Sequence, residues 1–178
     1  MKKNDEKHKI VAIPVSLIDD KPRFLTVRDR RFKEWIFVTG GCRKSEISNP
    51  VRCALRELEE ETRGVINLKR CKYSYFKFRV FDHDGTTPLV YHVYIIIFDI
   101  NRILQRNIIR EFYIEKIKMD AKKKNKESIK RTYDENDMIN FETLDEFNKK
   151  PRWSLIVDNI INNPDFYVSL TSSNYTYF

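Results

Sequence analysis

Three glutamates, Glu57, Glu60 and Glu61, stand at positions i, i+3 and i+4 of a segment that reads as a helix. At about 100° per residue they fall within an arc of roughly 100°. Carboxylates that close can share hard cations, and an all-oxygen donor set selects Mg²⁺, Mn²⁺ or Ca²⁺ over zinc. Without a cation, like charges at this spacing cost a bare helix roughly a few tenths of a kcal/mol per pair. The alternative is a solvated acidic face balanced by Arg52, Arg56 and Arg63. Two features favour the metal: the adjacent Gly40 and Gly41 upstream, and the direct succession of Arg56 and Glu57. The chain has four glycines, so a pair in one loop marks a backbone that must come close to something. Glu59 points elsewhere and reads as a spectator.

The helix that carries these acids has its own signals. Asn49 suits the N-cap, Pro50 the first helical position and Gly64 the C′ position. Val51, Leu55, Leu58 and Thr62 fall within roughly 60° of one another and form its buried face. Cys53 lies one turn before Glu57 and reads as a small buried filler.

Around this helix the sequence alternates as strands do. "KIVAIPVSLI" (9–18) and "RFLTVRD" (23–29) read as a hairpin, and "EWIFVTGG" (34–41) as one short strand running into the glycine loop. "YSYFKFRVF" (73–81) and "LVYHVYIIIFDI" (89–100) make a second hairpin across "DHDGTTP". His92 sits mid-strand and reads as a packed or cross-strand partner; His83 belongs to the turn and carries no role. Residues 102–118 suit a helix, with Ile103, Ile109, Phe112 and Ile117 partly on one face. The lysine-rich stretch that follows reads as an exposed helix or basic insertion around 118–134. "MINFETL" (138–144) reads as a strand and "RWSLIVDNIINN" (152–163) as an amphipathic helix stopped by Pro164, while the tail "SLTSSNYTYF" carries no signal. The pattern predicts an α/β fold, a single domain over 1–178 with a mixed β-sheet sandwiched between helices.

Composition narrows the class. At 178 residues and 41% hydrophobic, the chain can bury a real core, which excludes wholesale disorder. Its formal net charge of +8 favours polyanionic partners such as nucleotides or RNA. Three cysteines without CxxC spacing read as reduced thiols in a cytoplasmic compartment, with neither a disulfide framework nor a zinc site. The start "MKKNDEKHK" shows no apolar signal region, and the longest apolar run is too short to span a bilayer, so no membrane role is expected.

The residues match a known pattern. "RELEEET" at 56–62 resembles the core of the Nudix box, G-x5-E-x7-R-E-U-x-E-E-x-G-U, in which U is aliphatic, and "WIFVTGG" resembles the W-x-F-P-G-G that precedes it, with Thr39 at the proline. "NFETLDEF" (140–147) resembles the later W-x-S-L-D-E-L strand, with Phe141 in the aromatic place. The loop between departs: Ser48 stands where the box has its first glutamate, the nearest acid is Glu46, and Arg63 is inserted before Gly64. Such variants are similar to those of large DNA viruses.

The resemblance implies a Nudix fold and a hydrolase that cleaves a diphosphate in a nucleoside diphosphate linked to another moiety, with Mg²⁺ or Mn²⁺ as cofactor. It implies metal ligands at Glu57, Glu60 and Glu61, with Glu57 or Glu61 polarising the attacking water. A later acid, Glu135, is expected as a further ligand or base, with Asp137 as the fallback. Gly40 and Gly41 are expected against metal or phosphate. Arg56 is expected at the substrate or paired with a carboxylate, Glu46 if that residue takes over the displaced role. Among family substrates the reading leans to the 5′ cap of RNA (mRNA decapping), because Lys122, Lys123, Lys124, Lys126, Lys130 and Arg131 could track a phosphate backbone. Trp35, Tyr73, Tyr75 and Phe76 are candidate base-stacking surfaces, although most of those in the strands are expected to be core. The alternatives are a small-nucleotide pyrophosphatase acting on ADP-ribose, dinucleoside polyphosphates or inositol pyrophosphate, a solubilising role for the lysines, and a non-catalytic nucleotide- or RNA-binding module. Monomer and homodimer stay equally open.

Overall fold

A computed structural model of the chain describes residues 6–82, 84–171 and 175–178. His83 and residues 1–5 of the charged N-terminal stretch lie outside the described residues, as do 172–174 of the tail. Strand β1 (Lys7–Ser16) is the spine of the sheet. Ile10, Val11, Ala12 and Ile13 are all fully buried, and neighbouring strand residues point to opposite faces. The sheet is therefore covered on both sides, as an α/β arrangement requires.

β1 runs antiparallel to β2 (Arg23–Asp29) only at Val15↔Phe24 and Ser16↔Arg23. After that the two strands part, and the expected single strand at 34–41 divides to fill the gap. Its first half, β3 (Trp35–Ile36), pairs with β2; its second, β4 (Val38–Gly41), pairs with β1 at Lys9–Ala12. Phe37, fully buried, is the point of division. Pro14 falls in the two-residue gap between the β4 and β2 pairings on β1. Val15 directs its carbonyl toward Phe98, so the alternate residue Pro14 faces the gap, where a missing N–H removes no ladder bond.

After α1 (Pro50–Glu61) come β5 (Lys72–Phe81) and β6 (Pro88–Ile97), the expected hairpin, and β6 lies parallel to β1 from Lys7↔Leu89 to Val15↔Ile97. Helix α2 (Arg102–Lys124) begins at Asn101, whose side chain accepts from the Leu104 N–H. It runs past 118 into the lysines. Its buried residues are Gln105, Phe112 and Met119, a seven-residue spacing; Ile103 and Ile117, expected on that face, are exposed. A 3₁₀ turn at Arg131–Asp134 leads into β7 (Asn136–Glu142), which pairs along β2.

Three elements close the chain: α3 (Leu144–Asn148), α4 (Ser154–Ile161) and α5 (Pro164–Thr171). Pro164 ends α4 as expected but also opens α5, where its fixed φ suits a first turn. The tail contributes β8 (Thr176–Tyr177), which pairs with the edge of β5.

Candidate active site

α1 buries Val51, Leu55, Leu58 and Thr62, as its periodicity requires. Asn49 occupies the N-cap, but its side chain makes no bond to the helix. At the other end Arg63, not Gly64, takes the C′ place in left-handed conformation, with φ 56°, and Gly64 follows at φ 76°. The Gly64 N–H donates to the Glu59 carbonyl at 2.7 Å and the Arg63 N–H to that of Glu60 at 3.2 Å, which closes the helix.

Arg56 organises the acidic face. Its Nε donates to Glu46 Oε1 at 2.8 Å, and Nη2 to Glu46 Oε2 at 2.9 Å and to the Gly41 carbonyl at 3.0 Å. Nη1 reaches Glu57 at 2.6 Å and Glu60 at 3.2 Å. All five guanidinium hydrogens are thereby used, so Arg56 positions carboxylates and has none left for a substrate. The pair holds the Glu46 carboxyl down at about 2, with the Arg56 hydrogen bonds the leading cause. Gly40 has a steric reason: a Cβ there would overlap the carboxyl carbon of Glu57. Gly41 meets nothing within 4 Å and serves through its carbonyl.

The three box carboxylates therefore divide. Glu57 and Glu60 are tied to Arg56, and Glu60, 5% exposed, also has Lys130 at 3.3 Å and Arg43 at 3.7 Å. Glu61 turns the other way, accepting from the Asn136 amide, with the Glu135 carboxylate as its strongest charged influence. Among the described residues no group of three His, Cys, Asp or Glu side chains is set to hold a metal ion as it stands. As the chain stands, the Arg56 guanidinium lies between Glu57 and Glu60 and neutralises them in place. The donor set still fits a hard divalent cation. Burial pushes the Glu57 and Glu61 carboxyls up, Glu61 strongly, with Glu135 and Glu57 as the next causes at Glu61. A cation bound there would offset the burial and like charge that raise the Glu61 carboxyl.

Glu135 arrives there through Arg63, the residue the sequence presented only as an irregularity. Arg63 is 3% exposed and caps backbone carbonyls of the segment that carries Glu135: Nε to Tyr133 at 2.8 Å and Nη2 to Asn136. Its Nη1 reaches the Phe112 carbonyl at 3.4 Å, and its guanidinium lies 3.8 Å from the Phe112 ring centroid. Burial lowers its pKa, yet arginine keeps its charge in such sites. The inserted arginine thus clamps the approach to β7 against the end of α1. Asp137, the fallback acid, is not at this centre: Arg28 grips it at 2.8 and 3.0 Å, and Lys33 also pairs with it.

A cavity of about 390 Å³ opens beside Glu61, Glu135 and Asn136. Val27 of β2, Ile36 of β3 and Thr39 of β4 line it, together with Phe32, Glu34 and Trp153. None of the expected stacking residues does. Trp35 and Phe76 are core, and Tyr73 and Tyr75 lie with Tyr94 and His92 at β5 and β6. Trp35 instead acts through its backbone, its N–H donating to Pro151 at 2.8 Å and its carbonyl accepting from Trp153 at 3.1 Å, which holds Trp153 at the wall. His92 is a cross-strand partner, 3.0 Å from His8 and 2.8 Å from the Tyr75 hydroxyl. Cys53 is fully buried, and all three cysteines are free. Of the basic run, Lys130 reaches Glu60 and Lys123 pairs with Asp134 at 2.6 Å.

A sequence model of the NUDIX domain matches residues 7–149. The chain belongs to the Nudix family. No curated protein matches it. Solved structures similar to this Nudix chain include the NUDIX domain of Shewanella oneidensis NrtR complexed with ADP ribose, at 11% identity and TM-score 0.52 over 83% of this chain and 79% of that one. A Caenorhabditis elegans Ap4A hydrolase binary complex gives 11% and 0.52 over 93% of each chain. A NUDIX hydrolase from Nitrosomonas europaea gives 12% and 0.54 over 92% and 90%. At such identities the likeness is one of Nudix fold. No helix among the described residues is long and apolar enough to cross a membrane.

Proposed function

We propose that this chain hydrolyses a diphosphate linkage in a nucleoside diphosphate joined to another group, in a reaction that depends on Mg²⁺ or Mn²⁺. One observation carries the reading: Glu61, Glu135 and Asn136 form a wall of the same cavity that Phe32, Trp153, Val27 and Ile36 make apolar and aromatic. A nucleoside against the apolar walls brings its phosphates to the carboxylates. Glu57, Glu60, Glu61 and Glu135 would hold the cations, whose chemistry when bound is to neutralise phosphate charge and activate water. Arg56 fixes the carboxylates of Glu57 and Glu60, Gly40 leaves room for the first of them, and Asn136 orients Glu61. Glu135, the exposed member, takes the proton of the attacking water.

The substrate we favour is the 5′ cap of RNA. Lys130, within 3.3 Å of Glu60, brings the basic run up to the carboxylates, and Lys122, Lys124, Lys126 and Arg131 are exposed beyond it. Such a run suits a phosphate backbone leaving the site. The second reading is a small-nucleotide pyrophosphatase, favoured by the fold shared with a domain that binds ADP ribose and with an Ap4A hydrolase. The test is hydrolysis with Mg²⁺ or Mn²⁺ of capped RNA, ADP-ribose, diadenosine polyphosphates and inositol pyrophosphate. Cleavage of at least one, abolished in Glu60→Gln and Glu61→Gln, supports the proposal. A wild-type protein as inert as the variants on every substrate overturns it in favour of a binding module.

A further inference from the structure

The turn between β2 and β3 holds a large aromatic side chain out in solvent: Phe32 is 65% exposed. Its backbone is not loose. Asp29 Oδ1 accepts from the Arg31 and Phe32 N–H groups at 2.7 and 2.6 Å. The Asp29 N–H donates to the Glu34 carbonyl at 2.9 Å, and the Lys33 N–H to that of Asp29 at 3.0 Å. Lys33 sits in the left-handed region at φ 60°, which a non-glycine residue adopts only when its surroundings hold it there. The hold is visible: its ammonium pairs with Asp137, which Arg28 already grips. Phe32, Glu34 and Trp153 then line the cavity, and among the described residues the Glu34 carboxylate has no hydrogen-bond or ionic partner.

We infer that this cavity is a guanine pocket, with Phe32 and Trp153 giving the base its stacking surface and Glu34 accepting its N1–H and 2-amino hydrogens. The inference rests on the nucleotide-hydrolase reading and deepens it, naming the residues that would select the base. The edge chemistry selects guanine. A carboxylate is acceptor-only, with two oxygens side by side. Guanine offers it two adjacent donors, N1–H and the 2-amino group. Adenine sets its 6-amino donor beside the N1 lone pair, so one carboxylate oxygen would face another acceptor. Uracil has one donor between two carbonyls. Charge then favours a guanine methylated at N7: that base is a cation, Glu34, Asp29 and Glu135 give the walls negative charge, and an indole face attracts cations. One face of the Phe32 ring already has the Arg31 guanidinium at 5.1 Å, which leaves the other for the base.

The experiment compares kcat/KM for diguanosine and diadenosine tetraphosphates, which share a linkage and differ in base, alongside capped dinucleotides with and without the N7 methyl. Calorimetric titration with GDP, N7-methyl-GDP and ADP reads the pocket without requiring hydrolysis. The wild type should prefer guanine by roughly tenfold or more, in cleavage and in binding, and the methylated base further. Glu34→Gln, a change at a half-buried position, should bring the guanine-to-adenine ratio down toward one, and Phe32→Ala should raise KM for both. Equal use of the two tetraphosphates, or a ratio that Glu34→Gln leaves where it was, overturns the guanine pocket while the hydrolase stands. Guanine-selective binding without cleavage of anything supports the pocket and overturns the hydrolase.

Discussion

Arg56 and Glu46 face each other as a two-bond pair, Nε to Oε1 at 2.8 Å and Nη2 to Oε2 at 2.9 Å, across ten positions of sequence. Glu46 belongs to the 3₁₀ turn Lys44–Glu46, and its Oε2 also accepts from the Arg43 N–H at 2.8 Å. The pair thus ties the loop between the glycines and α1 to the guanidinium that holds Glu57 and Glu60. Ser48, at the expected position of the box's first acid, makes no such contact.

Glu46→Gln keeps the shape and removes the charge. Hydrogen bonds to charged groups contribute about 1.5–3 kcal/mol, so we expect a stability loss of that order by denaturant titration. Replacing Ser48 with Ala should leave stability within about 0.5 kcal/mol, as exposed positions do.

The same pair sets an acid response. Glu46 has its carboxyl held at about 2 in the folded chain, below the ordinary 4.5. A depressed carboxylate stabilises the fold fully above the unfolded value and loses that contribution as pH falls through the folded one. Unfolding measured between pH 6 and pH 2 should show stability falling from about pH 4.5 toward 2, and Glu46→Gln should lack that part of the fall. Parallel curves for the two proteins would contradict the pairing.

Gly40 and Gly41 should respond differently to alanine. At Gly40 the added methyl displaces the Glu57 carboxylate, so cation-dependent hydrolysis should drop at least about a hundredfold, the scale on which small misplacements act in a site. At Gly41 the methyl meets open space, and rate and stability should stay near wild type.

Arg63→Gln tests the clamp. Its removal leaves the Tyr133, Phe112 and Asn136 carbonyls short of a charged donor, at a cost of about 3 kcal/mol or more. Hydrogen exchange should quicken at 131–136 before it does in β1. Cation affinity should fall with it, because Glu135 loses its fixed approach to Glu61. Uniform destabilisation with cation affinity intact would assign Arg63 a packing role alone.

Much of this was legible in the sequence, and the exceptions share a cause. Strand alternation located β1, β2, β5, β6 and β7, and helical periodicity gave the buried face of α1, because those patterns are local. The division of 34–41 at Phe37 is invisible locally, since both halves read as strand and only the parting of β1 from β2 separates their partners. Glu46 was reachable as the nearest acid to a displaced one, but its two-bond geometry needs the 3₁₀ turn. Phe32, Glu34 and Trp153 carry no spacing signal; a turn held by Lys33 and a bridge from Trp35 to 151–153 bring them together. Trp35 and Phe76 are core, as most strand aromatics are expected to be; residue type shows an aromatic ring without showing which side of the sheet it faces. Arg63 stood out as an insertion, and a cue was present: an arginine beside a helix-ending glycine, with carbonyl-rich turns to cap.

The central claim is that Glu57, Glu60, Glu61 and Glu135 hold divalent cations together, and Mn²⁺ titration followed by electron paramagnetic resonance tests it most directly. Wild type should bind Mn²⁺, with Glu61→Gln and Glu135→Gln each weakening it by at least about tenfold. A wild-type chain that leaves the Mn²⁺ signal as free ion, or variants that bind as tightly as wild type, would contradict it.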